Sequence, residues 1–358
     1  MQKSKIRNLN FFVIIVELCV LFTFFCSVTL VFAVGLFYHS WWYQFKNNAH
    51  ITDRQFLSLI RSGLKTPVTE TDQHKNILLL GVDVIANRVG DPVLTDTIMI
   101  FSLNTVSGEL KAISLPRDLW STEYQTKINA LYEYGKQRYP QNPQQFPTEV
   151  LSNLIQLPIH NTIVLSLDQL SELIDDMNGV PITITESFTD EQFPRTDVDI
   201  RTEHDPKKLY ERVEFVKGVE TMNGERALQF VRSRHSTQLE QGTDDARTIR
   251  QQLLINAILL KLKDPTTLKN PVILGKLFNW YQVNFESELS VLELIQLGYS
   301  LQKNLINISL LPQTLSFETA NQAGVITHPS EQKYNQWVYE VKEMPAFQAE
   351  VARKLGIK

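Results

Sequence analysis

Five arginines stand where guanidinium chemistry would be useful. Arg117 lies in Ser114-Leu115-Pro116-Arg117-Asp118, Arg232 and Arg234 in Phe230-Val231-Arg232-Ser233-Arg234-His235, and Arg247 and Arg250 between Thr243 and Gln251. A guanidinium is a planar fork of donors matched to phosphate oxygens. Pro116 stops the strand before it and aims Arg117 out of the sheet end. If their segment is extended, Arg232 and Arg234 point to one face, and two such charges repel unless an anion sits between them. Arg247 and Gln251 are four apart on one helix face, near an N-terminus whose free N–H groups also favour anions. Asp244, just before them, is placed to orient an arginine.

Two carboxylates complete the set. Asp83 follows the apolar run Asn76-Ile77-Leu78-Leu79-Leu80-Gly81-Val82, and Asp96 sits in Leu94-Thr95-Asp96-Thr97. At the ends of neighbouring strands they could share one hard cation such as Mg2+, which prefers oxygen ligands. Each motif alone has an ordinary structural explanation: a turn-capping Asp83, a turn residue at Asp96, a surface pair of Arg117 with Asp118, a solvated basic edge, a well-capped helix. Together, five arginines at element ends call for more than one negative charge, so a pyrophosphate fits better than a lone carboxylate.

The elements that must position these residues alternate between strand and helix. Strands are expected at 76–82, Thr97 to Leu103, Leu110 to Ser114, Thr162 to Leu167, Val180 to Thr185 and Asn307 to Leu311. Helices are expected from Phe146, over Asp168 to Met177 with Asp168 as N-cap, Gly224 to Phe230, Arg247 to Lys263 and Leu289 to Leu301. Gln55 to Leu64 is amphipathic. Residues 187 to 215 are polar and read as an irregular surface insertion, and residues 313 to 358 as less regular. This alternation argues for a layered α/β domain.

Phe11 to Phe37 is an apolar run of 27 residues with one charge, Glu17. As a helix it would span about 40 Å, enough to cross a hydrocarbon core of about 30 Å. Tyr38 to Tyr43 then reads as an interfacial aromatic belt, and Lys3, Lys5 and Arg7 keep the N-terminus cytoplasmic. The expected organisation is a cytoplasmic 1–10, a transmembrane helix 11–37, a stalk 38–74, a catalytic domain 75–312 and an extension 313–358. Both cysteines, Cys19 and Cys26, fall inside the span, so the outer domain has no cysteine for a disulfide, thiolate metal site or nucleophile. With 35 Lys and Arg against 39 Asp and Glu, the chain has no excess of positive charge for binding nucleic acid broadly.

Asn76 to Asp83, Thr95-Asp96-Thr97, Ser114 to Asp118 and Lys127-Ile128-Asn129-Ala130-Leu131-Tyr132 together resemble the opening of the LytR–CpsA–Psr family. Gly224 to Arg234 and Asp244 to Gln251 resemble its second half, so the likeness runs over roughly 75 to 265 in the family's order. It implies an α/β/α domain with a central mixed sheet behind one transmembrane helix. It also implies an enzyme that moves a glycopolymer, such as a teichoic acid or capsule, from a polyprenyl-pyrophosphate carrier to a peptidoglycan hydroxyl at the outer face of the cell membrane.

By motif position the resemblance assigns Asp83 and Asp96 to Mg2+, with Mn2+ as the alternative, and Arg117, Arg232, Arg234, Arg247 and Gln251 to the pyrophosphate. Arg250 joins that set or faces the core. Asp244 and Asp118 support arginines, and Asp83 is the candidate base, a role that competes with metal ligation. The family's paired glycine appears here as Asn178-Gly179. Two other readings stand beside this one: a pyrophosphatase with water as acceptor, and a non-catalytic lipid- or wall-binding protein.

Overall fold

A computed structural model describes residues 35–82, 92–195, 198, 203–236, 238–285, 288–301, 313–319, 322–329, 334 and 336–357. A helix over residues 35–48 (α1) leads into α2 (Asp53–Gly63), whose start is fixed by a reciprocal capping box of Thr52 and Gln55. The strands β1 (His74–Val82), β2 (Thr95–Asn104) and β3 (Leu110–Ser114) form an antiparallel meander. After α3 (Leu131–Arg138) and α4 (Gln145–Ile155), β4 (Asn161–Ser166) pairs parallel to β1. Next come α5 (Leu167–Asp176), β5 (Val180–Ile184), β6 (Phe188–Pro194), β7 (Tyr210–Phe215), β8 (Gly218–Met222), α6 (Gly224–Arg232) and α7 (Asp244–Lys263). The chain continues through α8 (Pro271–Phe285), α9 (Val291–Leu301), β9 (Gln313–Thr314) and α10 (Met344–Leu355).

The central sheet has the order β9-β3-β2-β1-β4, with β9 and β4 parallel to their neighbours and the rest antiparallel, so it is mixed. The strand pleat sorts its side chains into two layers. Leu78, Leu80, Ile98, Ile100 and Ile113 pack with Phe146, Val150 and Leu151 of α4 and with Phe347, Val351 and Leu355 of α10. On the opposite face Leu79, Met99, Phe101 and Ala112 meet Ile255 and Leu259 of α7. The result is the layered α/β arrangement expected from the alternation of elements. Gly81 is required at the end of β1: a Cβ there would lie 2.9 Å from the Thr97 side chain of β2.

Several local expectations shift. The N-cap of α5 is Ser166, in a capping box with Gln169, and Asp168 falls in the first turn. Asn178 and Gly179 take φ of 58° and 83°, a left-handed pair that asparagine tolerates, so losing one glycine of the pair leaves the turn intact. Residues 187 to 215 are not simply irregular. They contain the antiparallel ribbon β6–β7, whose Phe188, Phe193, Val213 and Phe215 are buried in a common core with Phe230 and Leu254. The helices α3, α8 and α10 were not anticipated. In α8, Gly275 sits where a Cβ would come within 2.5 Å of the Phe45 carbonyl of α1, so the glycine serves helix crossing rather than helix breaking.

The C-terminal segment belongs to the same core, since β9 extends the central sheet and Phe347 is fully buried. Among the described residues no helix is long and apolar enough to cross a membrane; of the expected span only 35–37 lies among them. The strand expected at Asn307 to Leu311 also lies outside the described residues. The aromatic segment after the span is docked: Trp41 Nε1 donates to the Lys269 carbonyl (2.9 Å) and Trp42 Nε1 to Asp53 (2.6 Å), while Leu36, Phe37 and Tyr38 stay exposed. Replacing Phe347 with Ala should cost about 3–5 kcal/mol by chemical denaturation, as for a large core aromatic. A loss under about 1 kcal/mol would show that α10 is not part of the cooperative core.

Candidate functional site

The ends of β1 and β2, the start of α5, the end of α6 and the first half of α7 enclose a cavity of about 390 Å³. Its walls divide sharply. Leu79, Phe101, Leu165, Leu170, Leu254 and Ile258 form an apolar interior between the sheet and the helices, whereas Asp96, Arg232, Arg234, His235, Arg247 and Gln251 form a polar part. A volume of this size suits a small organic ligand or part of a larger one.

Asp96 is the hub. It lies within β2, which starts at Thr95, two residues earlier than the Thr97 expected from sequence, and it faces two cations at once. Arg117 Nη1 donates to its Oδ1 at 2.7 Å, and Arg234 Nη2 donates to its Oδ2 at 3.0 Å. Burial pushes its pKa up, but the charge and hydrogen bond of Arg117, with the charges of Arg247 and Arg234, outweigh that and leave it below the usual carboxylate range.

Arg117 reaches Asp96 from the loop after β3, and that loop is held on both sides. Asp118 lies 3.4 Å from Arg117 Nε and accepts from Lys127 at 2.7 Å. The Asn129 N–H donates to the Arg117 carbonyl, and the Thr95 hydroxyl donates to the Asn129 carbonyl, stitching the loop to the start of β2. Lys127 and Asn129 belong to a motif that the sequence offered without a role; their part here is to position Arg117.

Arg232 is the last residue of α6, and Ser233 follows with φ −55° and ψ 129°, so the pair Arg232 and Arg234 is not an extended strand. Both nevertheless line the cavity, because the helix ends between them. The Arg232 guanidinium lies 5.6 Å from the centroid of the Phe193 ring. Arg247 is almost fully buried, and with Gln251 one turn later it lines the cavity from α7.

Arg250 does not line the cavity. It turns into the core, donating to the carbonyls of Ser233 (2.6 Å) and Gln241 (3.0 Å) with Phe188 4.9 Å from its guanidinium carbon. Burial, then the charge of Arg247, lowers its pKa to about 10 against the opposing effect of Asp190, so it stays charged at neutral pH. Position 250 is only about 60° around the helix from Arg247, at the edge of the lining face, and the carbonyls of Ser233 and Gln241 packed beside it draw Arg250 away from the cavity.

Asp83 lies outside the described residues, and so does the side chain of Asp244, whose backbone opens α7. Among the described residues no group of three or more His, Cys, Asp or Glu gathers for a metal. Mg2+ needs only one or two carboxylates when phosphate oxygens and waters supply the rest. Asp96 fits such a role, since a carboxylate has about four lone-pair sites and the two arginines engage one hydrogen bond each.

Comparison with known proteins gives a consistent picture. A model of the LytR_cpsA_psr family matches residues 44–343. The chain is 24% identical over 271 residues to the polyisoprenyl-teichoic acid–peptidoglycan teichoic acid transferase TagV of Bacillus subtilis (strain 168), covering 73% of this chain and 61% of that protein. It is 23% identical over 247 residues to the transferase TagU of Bacillus licheniformis, covering 67% of this chain and 69% of that one. The match thus spans less than two thirds of the TagV length. The crystal structure of B. subtilis TagV superposes with a TM-score of 0.55 at 20% identity, over 81% of this chain and 100% of that one. A structure of TagT bound to LIIa-WTA superposes with a TM-score of 0.50 at 17% identity, over 81% and 95%.

The Asp96 cluster generates a pH prediction. Because its folded pKa is depressed, the stability it contributes is fully present above its unfolded value of about 3.9 and is lost as pH falls through the lower folded value. Thermal melts of Asp96→Asn should therefore fall less steeply with acidification below about pH 4 than those of the unaltered protein; parallel curves would remove Asp96 as the hub.

Proposed function

This chain belongs to the LytR–CpsA–Psr family, and from that premise we propose that it transfers a glycopolymer from a polyprenyl-pyrophosphate carrier to a peptidoglycan hydroxyl, forming a phosphodiester. The observation that carries the proposal is the joining of Arg232, Arg234, Arg247 and Gln251 to an apolar interior in one cavity. A diphosphate with a hydrocarbon tail asks for those two surfaces side by side. The relatives' names, which specify teichoic acid and peptidoglycan for those proteins, support the same class of reaction.

In the proposed reaction the acceptor oxygen attacks the glycan-side phosphorus, the bond from that phosphorus to the bridging oxygen breaks, and polyprenyl phosphate leaves with the electron pair. Phosphoryl transfer depends on charge neutralisation and in-line placement more than on covalent help. Arg232, Arg234 and Arg247 hold the non-bridging oxygens, and Gln251 adds a neutral donor. Arg117, outside the cavity lining, steadies Asp96 and through it the arginines that face the diphosphate. Leu79, Phe101 and Leu254 hold the prenyl chain and keep water from the lipid side. The acceptor proton would pass to Asp83 through a carboxylate oxygen not engaged by the metal.

Mg2+, or Mn2+ in its place, would be held by Asp83 and Asp96 and would neutralise part of the diphosphate charge. The apolar run 11–37 would anchor the domain on the outer face of the cell membrane, next to both substrates.

Arg232→Ala and Arg234→Ala should each lower transfer of a lipid-pyrophosphate glycan to peptidoglycan by at least about 100-fold while melting close to the unaltered protein, the size of effect found when an oriented donor to a developing charge is removed. Transfer at the unaltered rate by both variants would refute the pocket. EDTA should abolish turnover and Mg2+ or Mn2+ restore it; turnover untouched by chelation would remove the metal. Release of polyprenyl phosphate at the same rate with and without peptidoglycan, with no glycan on the wall fraction, would point to hydrolysis instead.

A further inference from the structure

We propose that Asp190 is a positioning residue that holds the backbone of Arg234 and His235, so that the arginine segment faces the diphosphate of the substrate; this rests on the function proposed above. Asp190 lies in β6, within the region that the sequence presented as an insertion of no assigned role, and it is fully buried. Its Oδ2 accepts the N–H of Arg234 at 2.9 Å and the N–H of His235 at 3.1 Å, and its Oδ1 accepts the N–H of Gln192 at 2.9 Å. Its backbone also bridges antiparallel to Ser236. A buried carboxylate is tolerated when donors of this kind satisfy it, and hydrogen bonds to an ionised acceptor are the strong ones.

The need for such an anchor follows from where Arg234 sits. The Ser233 N–H makes the last bond of α6, to the Gln229 carbonyl, and residues 234 and 235 beyond it form no regular structure of their own, so helix and sheet ladders do not fix their N–H groups. Asp190 takes the N–H groups of 234 and 235, while Arg250 donates to the carbonyl of Ser233 from the other side. The segment is gripped at three consecutive residues, immediately behind two side chains that line the cavity. The same strand places Phe193 near the Arg232 guanidinium, Phe188 near that of Arg250, and Pro194 in the cavity wall. The ribbon β6–β7 is on this account the frame of the arginine segment.

The test is binding of geranylgeranyl diphosphate, by titration calorimetry, to the full-length protein in detergent, for the unaltered chain, Asp190→Ala, Arg234→Ala and the double variant. Both segment N–H groups use one oxygen, so Asn could keep them by placing its amide oxygen there, whereas Ala removes the acceptor outright. Affinity should fall roughly 10-fold or more in Asp190→Ala, because the N–H groups of 234 and 235 are released. The double variant should bind within about twofold of Arg234→Ala alone, because a residue acting through Arg234 has nothing left to position. Additive losses, or folded Asp190→Ala binding like the unaltered chain, would overturn the proposal alone. No binding by the unaltered chain would overturn the functional reading, and this proposal with it. Hydrogen exchange on the unaltered protein needs no variant: the amides of Arg234 and His235 should be protected as well as those of β6, and rapid exchange there would also overturn the proposal.

Discussion

Several guanidiniums gathered beside an apolar wall are unstable by themselves, and the site is organised around that constraint. Two unit charges about 4 Å apart interact by roughly 1 kcal/mol in water and about 4 kcal/mol near a protein surface. Arg232, Arg234 and Arg247 share one cavity, and Arg117 reaches the same carboxylate from outside its lining. Asp96 answers two of these charges directly and feels a third, which is why its pKa is depressed despite burial. The proposed diphosphate would bring further negative charge to a place already organised for it. Holding the guanidiniums in position falls to groups that do not face the ligand: Asp118 and Asn129 behind Arg117, Arg250 and Asp190 behind the arginine segment.

The division of the cavity into an apolar interior and a charged part follows from two periodicities. Alternation along β1 sends Leu78 and Leu80 to the core shared with α4 and α10, and Leu79 to the cavity face. The 3.6-residue repeat of α7 lays Arg247, Gln251, Leu254, Ile255 and Ile258 along one flank, polar at the N-terminal end and apolar beyond it. One helix thus supplies both surfaces, and its first turn points the positive end of the backbone dipole toward the charged part. A ligand with an anionic head and a hydrocarbon tail matches that polarity along a single axis.

Much of the framework was readable because local signals agree with the fold. The apolar run of β1, the strand Leu110 to Ser114 and the turn opened by Asn104 all lie where pattern and propensity place them. Where the reading fell short, tertiary contacts overrode or hid the signal. Gly275 inside α8 is explained only by the α1 backbone pressed against it. The polar surface of β6–β7 concealed Phe188, Phe193, Val213 and Phe215, each buried on the inner face of the ribbon. The end of α10 was legible in principle, with Pro345 at its start, Arg353 and Lys354 in its last turn and Gly356 in a left-handed cap.

The sequence alone determined which residue types were available and which neighbours share a face: Arg247 with Gln251 by helical spacing, and Asp96 beside the end of β1 by the short meander. It could not rank Arg250 against Arg247, since both are basic residues in the first turns of α7 and only packing shows which flank is covered. Nor could it single out Asp190, which lies 44 residues from Arg234 and meets it only when the ribbon folds over the end of α6. Short-range patterns encode local geometry because they are repeated along the chain. A contact between distant segments is a single event, decided by how the layers close on one another, and it leaves no periodicity to read.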